Sequence, residues 1–295
     1  MAGLVLARHG LADRLDASLA IAGDGGNATT SGDGAGAFGA PSPSPGVWIE
    51  SPTAPLAAGP LKGSAGTRRA LRWIPPNRLG GRWQMAIDAW LLDQAGPTDR
   101  FSVAPNPVLR LYRWSRPTLS LGRHQHLLEP GWRRLAAAGQ LDLVRRPSGG
   151  RAVLHGFDLT YALIWPNPPR RRRQAYAQTC AWLRACFAEI GLPIQPGADA
   201  LLPQPASCFS SATEADLIHG DGGKRIGSAQ FWRHGALLQH GSIQLDPPAD
   251  LWWEVFGEPP PALSPLPVGE EELIELLRRQ ALTTLPMAEI GRAHV

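Results

Sequence analysis

Cysteine is scarce in this chain. Only Cys180, Cys186 and Cys208 occur, and an odd number of thiols in so long a sequence argues against a disulfide framework and for reduced cysteines. Long uncharged apolar runs are lacking too. None reaches bilayer-spanning length, and the first residues lack the basic start and apolar core of a signal peptide, which predicts a cytoplasmic protein that uses no membrane. Residues 21–60 hold no lysine or arginine and are dominated by small residues and proline. Such a stretch buries too little apolar surface to offset its ordering entropy, so residues 1–70 are expected to be disordered. No zinc-ligand spacing, GxxxxGK[ST] loop or Rossmann glycine pattern occurs in a fitting context, so the sequence predicts no metal. His124 and His126 alternate near a strand end, which alone does not make a metal site.

Basic and acidic residues nearly balance, at 29 against 25 for a net charge of +4. That excess weakly favours an acidic partner and argues against the broad phosphate footprint of a nucleic-acid binder. With 43% hydrophobic residues in 295, the chain can build a sizeable core. A single domain is expected over residues 71–286, followed by a tail at 287–295.

Within that domain, strand and helix signals alternate. Met85, Ala89 and Leu92, with Ile87 and Leu91, recur at helical spacing over residues 84–95, and Gly96-Pro97 stops the helix. Residues 108–114 and 118–122, joined by Ser115-Arg116-Pro117, read as a hairpin. Pro130 opens a helix that Gly139 closes. Strands are expected at 141–146, 151–155 and 159–165. A helix follows, built on Tyr176, Cys180, Leu183, Phe187 and Ile190, which gives Cys180 a structural role as a small core residue. Residues 224–233 and 236–245 form a second hairpin across His234-Gly235, and residues 270–285 a last amphipathic helix with Leu273, Leu276, Leu277 and Ala281 inward.

Two clusters carry the chemistry. Cys208, in the polar segment Pro205 to Ser211, is either a buried small hydrophobe or a nucleophile whose thiolate needs positive charge nearby. Lys224 follows Asp221-Gly222-Gly223 and precedes Gly227, Ser228 and Ala229. It is either a solvated surface amine or a cation that holds a carbonyl oxygen as charge develops there, since small residues in a strand mark close approach of a ligand or another backbone. The second cluster runs Arg145-Arg146-Pro147-Ser148-Gly149-Gly150-Arg151 and ends at His155. It reads as an anion cradle or as a solvated strand-turn-strand, with His155 a base, an orienting group or a satisfied core imidazole. Arg170 to Arg173 form an exposed charge run that can dock an acidic carrier protein or simply be solvated.

Taken in order, these motifs resemble the biotin/lipoate protein ligase superfamily, in its lipoate-ligase and octanoyltransferase branch. The matching pieces are Met85-Ala86-Ile87-Asp88, Leu109 to Gln125, Arg145 to Tyr161, Cys208, Lys224 to Gln230 and Gln239 to Ile243, covering about residues 72 to 285. The resemblance implies an α/β fold of the α+β type, with a mixed, largely antiparallel sheet flanked by helices. It implies transfer of an octanoyl group from octanoyl acyl carrier protein, through a Cys208 thioester, to a lysine of an apo-lipoyl domain such as the glycine cleavage H protein or a 2-oxoacid dehydrogenase E2 subunit. Lys224 would polarise the carbonyl. By the same resemblance the substrate pocket involves Arg145, Arg146, Ser148, Gly149, Gly150, Arg151, His155, Gly227, Ser228, Ala229, His240 and Gly241, with the acyl tail against Val153, Leu154, Ile226 and Ala229. No cofactor is implied for the transferase. An ATP-dependent lipoate ligase, needing ATP and magnesium, and a non-catalytic lipoyl-domain or acyl-binding module are the alternatives.

Overall fold

The computed structural model describes residues 71–96, 105–197 and 216–285, all within one compact unit. In chain order the elements are β1 (Arg72–Leu79), α1 (Gly81–Ala95), β2 (Val108–Trp114), β3 (Thr118–Leu121), α2 (Pro130–Ala137), β4 (Asp142–Arg145), β5 (Val153–His155) and β6 (Asp158–Pro166). There follow α3 (Arg172–Glu189), β7 (Ile194–Pro196), β8 (Leu217–His219), β9 (Lys224–Arg233), β10 (Ala236–Gln244), α4 (Ala249–Phe256) and α5 (Glu270–Thr284). A seven-stranded sheet has the order β1-β2-β6-β10-β9-β8-β7, and a three-stranded sheet the order β4-β3-β5. Among the described residues only β1 with β2 and β3 with β4 pair in parallel, so the mixed, largely antiparallel α/β architecture expected from the sequence is what the chain adopts.

Strand periodicity sorts the large sheet's side chains onto two faces. Leu111, Leu159, Tyr161, Leu163, Ile226 and Ile243 pack against Trp182, Leu183 and Phe187 of α3 and Leu273, Leu277 and Ala281 of α5. Tyr112, Trp114, Ala162, Ile164 and Leu238 face Met85, Leu91 and Leu92 of α1, together with Val144. A third cluster joins Leu119, Leu121 and Leu154 of the small sheet to Trp132 and Trp252 of α2 and α4.

The β9–β10 hairpin forms across His234 and Gly235, whose φ values of 48° and 75° give the left-handed pair that a two-residue turn between twisted strands demands. The other expected hairpin does not form. β2 belongs to the large sheet and β3 to the small one, so Ser115-Arg116-Pro117 is a corner between sheets. Thr118 to Leu121 are buried at every position because both faces of β3 are covered, Leu119 and Leu121 by Trp132 and Trp252 of α2 and α4 and Thr118 by Gly81 of α1, so no alternating face marks it as the return arm of a hairpin. β1 escapes the sequence pattern because it carries Pro75 and Pro76, where its register with β2 shifts. An edge strand with a bulge tolerates prolines that a central ladder does not. Helix α4 also has no counterpart among the expected elements; its left-handed cap, Gly257 at φ 70°, was its clearest trace in the sequence.

Candidate active site

The turn from Arg146 to Arg151 connects two strands of the small sheet, and its neighbours hold it by main-chain contact. Arg123 N donates to Ser148 O at 2.9 Å and Arg146 N to Leu121 O at 2.9 Å. A Cβ on Gly122 would lie 1.8 Å from Gly150 O, so the two loops approach as closely as backbone can. Gly150 has a φ of 94°, and a Cβ there would also meet Arg146 Nη2 at 2.8 Å. Glycine is therefore required at both positions. Gly122→Ala is expected to force the loops apart, at a cost of roughly 1–3 kcal/mol, with loss of the turn's ligand geometry; urea denaturation together with an activity assay would register both.

Both arginines of the motif are turned onto carbonyls. Arg145 Nη1 donates to Gly122 O and Gln125 O, each at 2.8 Å. Arg146 Nη1 donates to Ser120 O at 2.9 Å, and its Nη2 to Gly149 O at 2.9 Å and Arg151 O at 2.6 Å. Their first duty is to brace the loops. The anion donors that remain on the turn are main-chain ones: among the described residues no acceptor takes the N–H of Gly149 or Gly150, and Gly150 is exposed.

Two buried histidines back this turn. His155 Nδ1 lies 2.8 Å from Asp158 Oδ2 and its Nε2 2.9 Å from Ser120 Oγ, with the ring stacked on Trp114 at 4.1 Å. Burial alone would raise the Asp158 pKa, but the His155 charge and hydrogen bonds from His155, Ser242 and the Gly156 N–H outweigh it and hold the carboxyl below its usual range. Its stabilising contribution is thus complete above the ordinary carboxylate range and is lost as the pH falls through the lowered value. His240 Nδ1 lies 3.2 Å from Asp88 Oδ2, and its Nε2 2.5 Å from Ser148 Oγ. Asp88 in turn binds Arg110 Nη1 at 2.8 Å and accepts from Tyr112 OH at 2.9 Å.

The β9–β10 ladder sets Ala229 opposite His240, Ser228 opposite Gly241 and Gly227 opposite Ser242. Adjacent residues point to opposite faces. Ser228 Oγ meets Tyr161 OH at 2.8 Å, Tyr161 accepts from Gln239 Nε2 at 3.0 Å, and a Cβ on Gly241 would lie 2.5 Å from the Tyr161 ring. Ala229 and His240 lie on the other face, toward the glycine turn. Lys224 is buried at the start of β9, with Nζ 3.0 Å from Asp216 Oδ2.

The structure therefore gathers the turn residues, His155, His240 and Ala229 on one side of the large sheet. It places Ser228 and Gly241 against Tyr161, and Lys224 beside Asp216 at the strand's beginning. The expected acyl-tail set does not form one surface. Val153 and Leu154 belong to the small-sheet cluster and Ile226 to the cluster under α3 and α5, because Ile226 and Ala229 are an odd number of residues apart on one strand. Cys208 lies outside the described residues. Cys180 and Cys186 are core thiols, as expected for Cys180: burial pushes them up to about 11 and about 12, which leaves both protonated and unreactive at neutral pH. His124 and His126 are exposed, and no group of three metal-ligating side chains occurs among the described residues. No helix among the described residues is long and apolar enough to cross a membrane.

Sequence reasoning gave no role to Asp88, Ser120, Asp158 or Asp216. The one available signal was a carboxylate, Asp88, at helical spacing with the apolar residues Met85, Leu91 and Leu92. Its partners Arg110 and His240 lie 22 and 152 residues away, beyond any local pattern.

A family model described as the lipoyl protein ligase A/B catalytic domain matches residues 81–262. Among curated proteins the chain is similar to octanoyltransferase LipM of Halalkalibacterium halodurans, 35% identical over 200 residues that make up 64% of this chain and 70% of that protein. It is also similar to octanoyltransferase LipM of Kyrpidia tusciae, 38% identical over 152 residues, 48% of this chain and 55% of that one. Of solved structures, lipoate-protein ligase A bound with ATP superposes with a TM-score of 0.57 at 20% identity, covering 74% of this chain and 86% of the other. The bi-partite lipoate protein ligase of Thermoplasma acidophilum, from a study that includes its E2 lipoyl domain, gives 0.56 at 18% identity over 74% and 84%. These last two likenesses concern the fold.

Proposed function

For a chain that belongs to the lipoyl protein ligase A/B catalytic-domain family, we propose the activity of an octanoyltransferase in protein lipoylation. The observation that carries this reading is the braced glycine turn, whose Gly149 and Gly150 N–H groups have no acceptor among the described residues and so suit an oxygen that gains charge during acyl transfer. The curated relatives named octanoyltransferase support it.

In the proposed route the Cys208 thiolate attacks the thioester of octanoyl acyl carrier protein. A C–S bond forms to Cys208, the bond to the carrier's thiol breaks, and the carrier leaves as thiolate, which takes up a proton. Thioester replaces thioester, so the step is close to neutral in energy. The ε-amine of a lipoyl-domain lysine then attacks the acyl-enzyme, the Cys208 thiolate departs, and the proton lost by the amine restores the thiol. The amide product is the more stable and draws the transfer forward. Lys224 polarises the carbonyl in both steps. Lys224→Met is expected to lower kcat by roughly 100- to 1000-fold, measured by mass spectrometry of the modified lipoyl domain.

The acceptor would be the glycine cleavage H protein or an E2 lipoyl domain, both small and acidic, and the exposed Arg170 to Arg173 offer opposite charge. No cofactor enters this route, and a cytoplasmic setting suits it. A specific observation keeps the ligase as a second reading: main-chain N–H donors on a glycine turn serve a phosphate as well as an oxyanion, and ATP and magnesium would then be required.

Purified protein incubated with an apo-lipoyl domain separates the readings. Octanoylation from the carrier thioester without ATP is the expected result. Modification only by free lipoate with ATP would replace it with the ligase, and none under either condition would leave a binding module.

A further inference from the structure

The glycine turn is held by two chains of the same kind, each a carboxylate, an imidazole and a serine hydroxyl. In one, Asp158 Oδ2 is 2.8 Å from His155 Nδ1, and His155 Nε2 is 2.9 Å from Ser120 Oγ. Arg146 Nη1 donates to that same oxygen at 3.2 Å, while its Nη2 grips Gly149 O at 2.9 Å. In the other, Asp88 Oδ2 is 3.2 Å from His240 Nδ1, and His240 Nε2 is 2.5 Å from Ser148 Oγ. An ionised carboxylate only accepts, so Nδ1 of each ring carries a proton and donates it to its carboxylate.

The likeness to a hydrolytic triad ends at burial. Ser120 and Ser148 are both 0% exposed, so neither hydroxyl is offered as a nucleophile. What the chains reach is the turn: Arg146 and Ser148 end them, and Gly149 and Gly150 with their unaccepted N–H groups come next. Ser242 Oγ donates to Asp158 Oδ2 at 2.6 Å, which ties the first chain to β10. Arg110 and Tyr112 fix Asp88 at the root of the second. Both chains therefore start from carboxylates anchored in the large sheet or in α1, and both end on the small sheet's turn.

We propose that Asp158–His155–Ser120–Arg146 and Asp88–His240–Ser148 are paired positioning relays that aim the Gly149 and Gly150 N–H groups at the reacting carbonyl. Asp88, Ser120 and Asp158 thereby act in transfer without touching the substrate. The kinetic part rests on the transferase reading. The structural part does not: without its serine contact the turn loses an anchor but no residue of its own.

The test uses Ser148→Ala, Ser148→Thr, Ser120→Ala, His240→Gln and the double variants. With no substrate present, ¹⁵N relaxation is expected to give Gly149 and Gly150 order parameters of about 0.85 in the wild type and below about 0.6 in Ser148→Ala. In transfer assays Ser148→Ala should lower kcat by roughly 100-fold with KM for the octanoyl donor unchanged within about threefold, and threonine should recover most of the loss by keeping the hydroxyl. Ser148→Ala combined with His240→Gln should be no worse than either alone, because one relay acts as a unit, whereas Ser148→Ala with Ser120→Ala should multiply. Unchanged order parameters in Ser148→Ala, or a folded Ser148→Ala with wild-type kcat, would overturn the proposal. If the wild type itself transfers no octanoyl group, the functional reading falls and the order parameters alone decide the relays.

Discussion

Cys208→Ala is expected to remove ATP-independent transfer, lowering kcat by roughly 1000-fold or more, the scale associated with loss of a covalent nucleophile. The acyl-enzyme should vanish with it. Intact-protein mass spectrometry after brief exposure to octanoyl carrier protein would show the wild type heavier by one octanoyl group and the variant unmodified. Cys186→Ala is the matched control: that thiol is fully buried in the α3–α5 core, so its loss should cost stability and leave transfer intact. If Cys208→Ala retains transfer from the thioester, the covalent route is wrong. If it retains only ATP-driven lipoate attachment, the ligase reading takes its place.

Asp88→Asn should have the largest effect on stability. Asp88 and Arg110 are both 0% exposed and paired at 2.8 Å, and the other carboxylate oxygen serves Tyr112 and His240. Asparagine keeps the shape but removes the charge, leaving the Arg110 guanidinium buried without its counter-ion, with Gln84 and the face of the Tyr112 ring as neutral contacts. Breaking a buried pair in this way costs roughly 3–5 kcal/mol, which for a domain of this size lowers Tm by roughly 10 °C. Tyr112 gives no relief. Burial first, then the Asp88 charge, raise its pKa well above the ordinary phenol value, so it remains a neutral donor. Chemical denaturation measures the loss, and a change under about 1 kcal/mol, the scale of an exposed ion pair, would mean that the pair is solvated.

Legibility in the sequence followed the distance between interacting residues. The β9–β10 hairpin was readable because its turn chemistry, His234-Gly235, sits between its own strands. The turn at Gly149-Gly150 was readable because its glycines lie between its own two strands. The purpose of Arg145 and Arg146 was not, since the carbonyls they brace belong to residues 120–125 as well as to the turn itself. The acyl-tail set failed for a geometric reason: residues close in sequence on β9 face opposite sides of the sheet, and only the packing of α1 on one face and of α3 and α5 on the other shows which side each takes.

By itself the sequence determined the alternation of helices and strands, the glycine turn between its strands and the kinship of the chain, because hydrophobic period, turn residues and ordered motifs are local properties. Tertiary structure decided which carboxylate stands behind which imidazole, that β2 and β3 part into different sheets, and that the motif arginines brace loops. Those outcomes depend on side chains brought together from distant positions, where burial makes an unpaired charge or hydroxyl costly and so selects a single partner for each.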